Sequence, residues 1–200
     1  MSIDSTNKLR NIRDDIVQCR QCDLYKTRTY PVVGKGNHDA NIMFVAEAPG
    51  GEEDKKAVPF IGPAGKILNK LLASINLNRD DVYICNVLKC RPPDNMNPTE
   101  EQKKSCSPYL TRQINAIQPK VIVCLGNHAT ESILTLFGQS DKIEPISMMS
   151  GKLINIDSVY TESIGLNIMP LLHPAALLHN PLLGTKIRND FKKLKEVIES

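Results

Sequence analysis

Apolar residues along the 200-residue chain fall into two kinds of run. Short, β-branched-rich stretches at 41–47, 82–86, 121–125 and 166–172 read as buried strands, because a strand covered on both faces shows no polar alternation. Between and around them, apolar positions recur at helical spacing over 6–18, 64–75, 99–117, 129–137 and 186–199. Strands alternating with helices predict an α/β fold with a parallel sheet covered on both faces. There is no internal repeat or low-complexity segment, and Pro and Gly punctuate short stretches without forming a linker, so residues 1–200 read as a single domain.

Ligands of open parallel sheets bind beyond the carboxyl ends of the strands. Those positions are polar and rich in Gly and Pro here. The first strand runs into Glu47, Ala48, Pro49 and Gly50; the second ends at Asn86; the third ends in Gly126, Asn127 and His128; the fourth ends in His173 and Pro174. A fold needs loops at that edge, but it does not need a carboxylate, an amide and an imidazole to converge there. The clustering points to a site.

Composition narrows the class. With 41% hydrophobic and 24% charged residues the chain is that of an ordinary globular protein, and its longest apolar runs stop at five residues where a spanning helix needs about 20. The first residues, MSIDSTNKLRNIRDD, lack the apolar stretch of a secretory signal, so a cytoplasmic, reducing location is expected, and no membrane partner. A formal net charge of +3 neither establishes nor excludes a nucleic-acid partner.

Six cysteines in a reducing compartment favour a metal over disulfides wherever they are closely spaced. Cys19 and Cys22 form one pair and Cys90 and Cys106 a second. Four thiolates suit zinc or an iron-sulfur cluster, and spacing alone does not separate the two. Cys85 and Cys124 lie inside strand-like runs and read as core. Lys89 and Arg91, beside the second pair, either face a phosphate backbone or belong to a solvated loop. His38, His128 and His179 match no metal motif; only His128, near a strand end, stands where a site residue would.

Some signatures fail. Gly62 to Ile67 lacks both the four-residue spacer of a phosphate loop and the hydroxyl that binds magnesium, and neither a zinc-deaminase signature nor a nucleophile elbow is present.

Taken together and in order, AEAPGGEED (46–54), PFIGPAG (59–65), NVLKCRPP (86–93), CSPYL (106–110) and HPAALLHNP (173–181) resemble the family 4 uracil-DNA glycosylases, over nearly the whole chain. The resemblance implies a three-layer α/β/α fold around a central four-stranded parallel sheet. It also implies a 4Fe-4S cluster of structural role on Cys19, Cys22, Cys90 and Cys106. The implied substrate is uracil-containing DNA, single- or double-stranded, and a monomer is the default.

An enzyme that acts on a base must extrude it, stack it and read its Watson-Crick edge. Phe60, between Pro59 and a Gly-rich turn, suits the stacking. Asn86 matches the family's reading residue, since an amide pairs with the N3 donor and O4 acceptor of uracil. His173 resembles the donor that stabilises negative charge on the departing base, an effect typically worth about 10² to 10³ in rate. By resemblance Glu47 would lie beside the flipped base and Glu53 would serve the hydrolytic step, with the division of roles left open. Otherwise 52–54 is a solvated acidic loop. Leu177 is the expected wedge into the minor groove, with Leu178 its rival.

The chain departs from the family at Ala46, where glycine is common, and at Met96, where an arginine often stands. The first affects packing; the second removes a phosphate contact. Only Lys55, Lys56, Ala57 and Val58 separate Asp54 from Pro59, so the His-bearing insertion of relatives that crosslink to uracil-DNA is missing, and hydrolysis with turnover is expected. The rival reading is a metal-stabilised nucleic-acid-binding module without catalysis. An electron-transfer protein stands further back.

Overall fold

The structure, a computed structural model, describes residues 3–156 and 165–199. Four parallel strands form its centre: β2 (Ile42–Ala46), β3 (Tyr83–Asn86), β4 (Val121–Leu125) and β6 (Asn167–Leu171). All four coincide with the expected strands, trimmed by a residue or so at their ends. Two pieces of two residues each, β1 (Lys35–Gly36) and β5 (Ile154–Asn155), were not expected; they pair antiparallel with β3 and β6 and close the two edges. The sheet therefore has six strands, in the order β1-β3-β2-β4-β6-β5, around the four-stranded parallel core. β1 lies so tightly on β3 that a Cβ at Gly36 would stand 1.9 Å from the Val82 carbonyl oxygen.

Alternate strand residues serve opposite faces. Met43, Val45, Cys85, Ile122, Cys124 and Ile168 pack under α1 (Ile3–Gln18), α4 (Glu100–Ile117) and α5 (Asn127–Leu136). Phe44, Ile84, Val123, Met169 and Leu171 pack under α3 (Pro63–Ala73) and α8 (Gly184–Glu199). Three layers result, as the sequence implied, with Cys85 and Cys124 buried in the core. The short helices α2 (Gly51–Lys56), α6 (Ile146–Met149) and α7 (Ala176–His179) complete the framework. No helix among the described residues is long and apolar enough to cross a membrane.

Local chemistry sets the helix ends. Thr99 and Gln102 form a reciprocal capping box at the start of α4. Pro108 inside that helix cannot donate to the Lys104 carbonyl, and the Ser107 hydroxyl donates to it instead at 3.0 Å. α3 begins with Pro63 just after Gly62, where a missing N–H costs nothing.

β2 pairs with β3 on one side and β4 on the other, so the chain reverses its direction of progress through the sheet at this strand. A crevice at the carboxyl ends of these strands follows from that topology.

Candidate active site

Two neighbouring cavities, each of about 420 Å³, open at that edge. One is lined by Glu53, Phe60, Asn86, His173 and Leu178, among others; the second by Glu47, Asn127, His128 and His173. They share Ala48, Gly50, Asn95 and His173. The structure thus gathers Glu47, Glu53, Phe60, Asn86 and His173 from four separate stretches of sequence. His128 joins them, half-exposed and 4.0 Å from Glu131. His38 is engaged elsewhere, with Thr6 at 3.0 Å, and His179 is exposed.

The Phe60 loop is held from both sides. Phe60 has a φ of 53°, in the left-handed region where a bulky residue is strained. Arg79 donates to the carbonyl oxygens of Pro59 (2.6 Å) and Phe60 (2.9 Å), and Glu53 Oε1 accepts the backbone N–H groups of Ile61 (2.9 Å) and Gly62 (2.8 Å). Close passage of α3 is possible only because residue 65 is glycine: a Cβ there would lie 1.7 Å from the Phe60 carbonyl oxygen. So fixed, the Phe60 ring stands 5.7 Å from the His173 ring, tilted by 30°.

His173 follows β6. Its Nδ1 accepts the Ala175 N–H at 3.1 Å, so in the neutral ring the proton sits on Nε2. Burial disfavours the imidazolium and lowers the pKa to about 4. His173 is accordingly a neutral donor at the cavity wall. Burial also raises the Glu47 carboxyl above its usual range, with His128 and Lys103 pulling the other way. Asn86 is 2% exposed and closes β3 beside Ala46 of β2. Asn86 lines the cavity, and its backbone carbonyl accepts from Lys89 Nζ at 2.6 Å.

The acidic run of 52–54 is not one solvated loop. Glu52 alone is exposed; Glu53 holds the Phe60 loop, and Asp54, 5% exposed, accepts the Thr29 N–H on both oxygens at 3.0 Å. Nor do Lys89 and Arg91 share one fate. Lys89 is 1% exposed and faces neither phosphate nor solvent, because the ends of β3 and α4 supply buried acceptors for its ammonium. Arg91 lines neither cavity but backs two residues that do, donating to Asn95 Oδ1 at 2.9 Å and covering Gly51.

Leu177 packs against the core, whereas Leu178, 52% exposed, stands at the cavity mouth. Asn95 was missed by sequence reasoning. Its positive φ of 55°, within an Asp-Asn pair between prolines, marks a turn, and nothing local indicates that the turn folds over the site.

A separate buried chamber brings together Cys19, Cys22, Cys90 and Cys106 with Ile16, Arg28 and Tyr109. N–H donors point at two of the sulfurs: Arg28 Nη1 at Cys90 Sγ (3.0 Å) and the Lys89 amide at Cys106 Sγ (3.3 Å). Burial raises the Cys22 and Cys90 thiols above their ordinary range and takes Cys106 to about 11, while Arg28 and Lys89 oppose it. Thiolates are therefore costly here unless a cation joins them. No three or more His, Cys, Asp or Glu side chains among the described residues are arranged around a single metal ion.

This three-layer fold, with its cavities at the strand ends, has known counterparts. Residues 33–199 match the family model of the uracil DNA glycosylase superfamily, and the chain belongs to that superfamily. It is 47% identical over 189 residues to the type-4 uracil-DNA glycosylase of Archaeoglobus fulgidus, covering 94% of this chain and 92% of that one. The type-4 enzymes of Sulfurisphaera tokodaii (43%, over 96% and 85% of the two chains) and Thermotoga maritima (40%, over 94% and 93%) are similar to it in the same way. Within the superfamily, this chain is a member of the type-4 uracil-DNA glycosylases.

Proposed function

We propose that this chain is a monofunctional uracil-DNA glycosylase that hydrolyses the bond between uracil N1 and the deoxyribose of DNA, leaving an abasic site for base excision repair. The observation that carries the reading is the convergence of Phe60, Asn86 and His173 on one cavity at the strand ends.

An extruded uracil stacks on Phe60 and presents N3–H and O4 to the Asn86 carboxamide. As the C1′–N1 bond breaks, its electron pair passes to the base, and negative charge grows on O2. The His173 Nε2–H meets that charge, already oriented by the Ala175 amide. Water adds its hydroxyl to C1′, and its proton returns the uracil anion to neutral uracil. Glu47, in the adjoining cavity, is the carboxylate that orients this water or faces the sugar cation. Glu53 has a positioning role instead, since its Oε1 is committed to two backbone amides of the Phe60 loop. Lyase chemistry would need an amine, and no lysine lines either cavity.

The exposure of Leu178 at the cavity mouth supports it, ahead of Leu177, as the wedge that fills the gap the extruded nucleotide leaves. Arg91 offers a contact to phosphate, and DNA binding should weaken steeply with salt.

Cys19, Cys22, Cys90 and Cys106 would hold a 4Fe-4S cluster. Their common chamber and the two N–H donors aimed at sulfur suit a group bound by four thiolates, and the type-4 relatives favour the cluster over zinc. Its contribution when bound would be structural, tying the segment after α1 to the loop after β3 and to α4.

The test is incubation of anaerobically purified protein with an end-labelled oligonucleotide carrying one uracil, then alkali and a sizing gel, with a thymine control. Strand scission at uracil alone, and only after alkali, is expected; Asn86→Asp should move preference towards cytosine. A protein that keeps its iron and binds the strand without releasing uracil would instead be the non-catalytic nucleic-acid-binding module.

A further inference from the structure

Among the buried polar groups, Lys89 is only 1% exposed, and no step of the proposed hydrolysis uses it. An ammonium is held in a core only where strong acceptors replace its water. Lys89 has two. Its Nζ donates to the Asn86 carbonyl at 2.6 Å and to Gln113 Oε1 at 2.7 Å. Gln113, itself 0% exposed, is fixed by donating through Nε2 to the Val33 carbonyl (2.8 Å) and the Tyr83 hydroxyl (3.2 Å). The lysine's own backbone is pinned as well: its carbonyl accepts from Val32 N–H at 2.7 Å, and its amide points at Cys106 Sγ. A rigid polar brace therefore runs from the cysteine chamber and α4 to a single peptide unit, the one that ends β3. The side chain on that unit is Asn86, which lines the cavity.

We infer that Lys89 is a positioning residue for base recognition: by clamping the Asn86 carbonyl it sets the direction in which the Asn86 carboxamide enters the pocket. The inference rests on the reading of Asn86 as the group that meets uracil. A recognising group displaced by about 1 Å loses up to about a hundredfold in effect, and a clamp made by a charged donor is the kind of contact that holds such a displacement off. Gln113 stabilises the clamp from behind without touching the Asn86 peptide.

The experiment compares Lys89→Met, Gln113→Leu and the double variant with the parent protein at matched iron content. It measures melting temperature, inhibition by free uracil, and affinity for a duplex carrying a tetrahydrofuran abasic site. Lys89→Met should raise the uracil inhibition constant about 10- to 100-fold while abasic-site affinity stays within about threefold. Gln113→Leu should lower the melting temperature yet leave uracil inhibition within about threefold, because Lys89 keeps its bond to Asn86. In the double variant the buried Gln113 carbonyl is gone together with its donor, which removes one unpaired group that Lys89→Met alone would leave; it is the variant assayed where Lys89→Met is too unstable, and the loss of uracil binding should persist. A folded Lys89→Met or double variant with parental uracil inhibition overturns the inference. So does a Gln113→Leu protein as impaired as Lys89→Met, which would reduce the effect to core softening. A parent protein that neither binds nor excises uracil would instead overturn the functional reading, and with it the inference.

Discussion

Glu53 separates two ways in which a carboxylate beside the pocket can matter: by acting on the reacting atoms, or by holding the loop that presents Phe60. Its Oε1 accepts two backbone N–H groups, at 2.9 and 2.8 Å. Each is a hydrogen bond to an ionised group, worth about 1.5 to 3 kcal/mol, so Glu53→Ala removes about 3 to 6 kcal/mol from a loop whose Phe60 already sits at a strained φ of 53°. Glu53→Gln keeps the acceptor oxygen and loses only the charge assistance, about half of each bond, or about 1.5 to 3 kcal/mol in total. If all of this reached the transition state, glutamine would cost about 10- to 150-fold in kcat/KM and alanine about 150-fold or more, with a parallel fall in melting temperature for alanine. Single-turnover excision of uracil from an oligonucleotide, alongside thermal melting, measures both. A glutamine variant as inactive as the alanine variant, with its melting temperature intact, would refute the positioning role and put the charge of Glu53 into the chemistry.

His173→Ala should lower kcat about 10²- to 10³-fold with little change in DNA affinity, because it deletes a donor used only as charge develops on the base; a binding defect at unchanged turnover would contradict that role. Neutral in the fold with a pKa of about 4, against about 6.5 when unfolded, His173 contributes stability that is complete above about pH 6.5 and lost as pH falls through 4, about 3 kcal/mol in full. Denaturant titrations at pH 7 and pH 4.5 should show a smaller acid loss for His173→Ala than for the parent, and equal losses would remove the assignment. Leu178→Ala should impair excision from duplex DNA several-fold more than from single strands, since only the duplex must be propped open, whereas equal losses on the two substrates would place the wedge elsewhere.

The parallel core could be read from the chain because a strand buried on both faces leaves an unmistakable apolar run. Residues directly after such runs are placed by topology alone, which is why Glu47, Asn86 and His173 could be found together. What escaped was set over short spans or long distances. β1 and β5 have two residues each and no period to detect. The four residues of α7 cannot reveal which of two adjacent leucines faces the core, so Leu177 and Leu178 could not be told apart. A lysine next to a cysteine reads as surface until Gln113, from a helix 24 positions away, supplies its acceptor. Asp54 was legible only as part of a solvated acidic loop, and Glu53 as that or as a hydrolytic acid, because the amides they bind belong to other loops.

The tight seat of β1 has a consequence for solubility as well as shape. Among the described residues β1 is the strand that covers the outer hydrogen-bonding edge of β3, and it can do so only while residue 36 has no side chain. Any substitution there would lift the two-residue cover and leave a row of free amides and carbonyls as a template for a strand of another molecule. The strand so uncovered ends in Asn86, so a single fault at Gly36 would couple self-association to a loosened grip on the base.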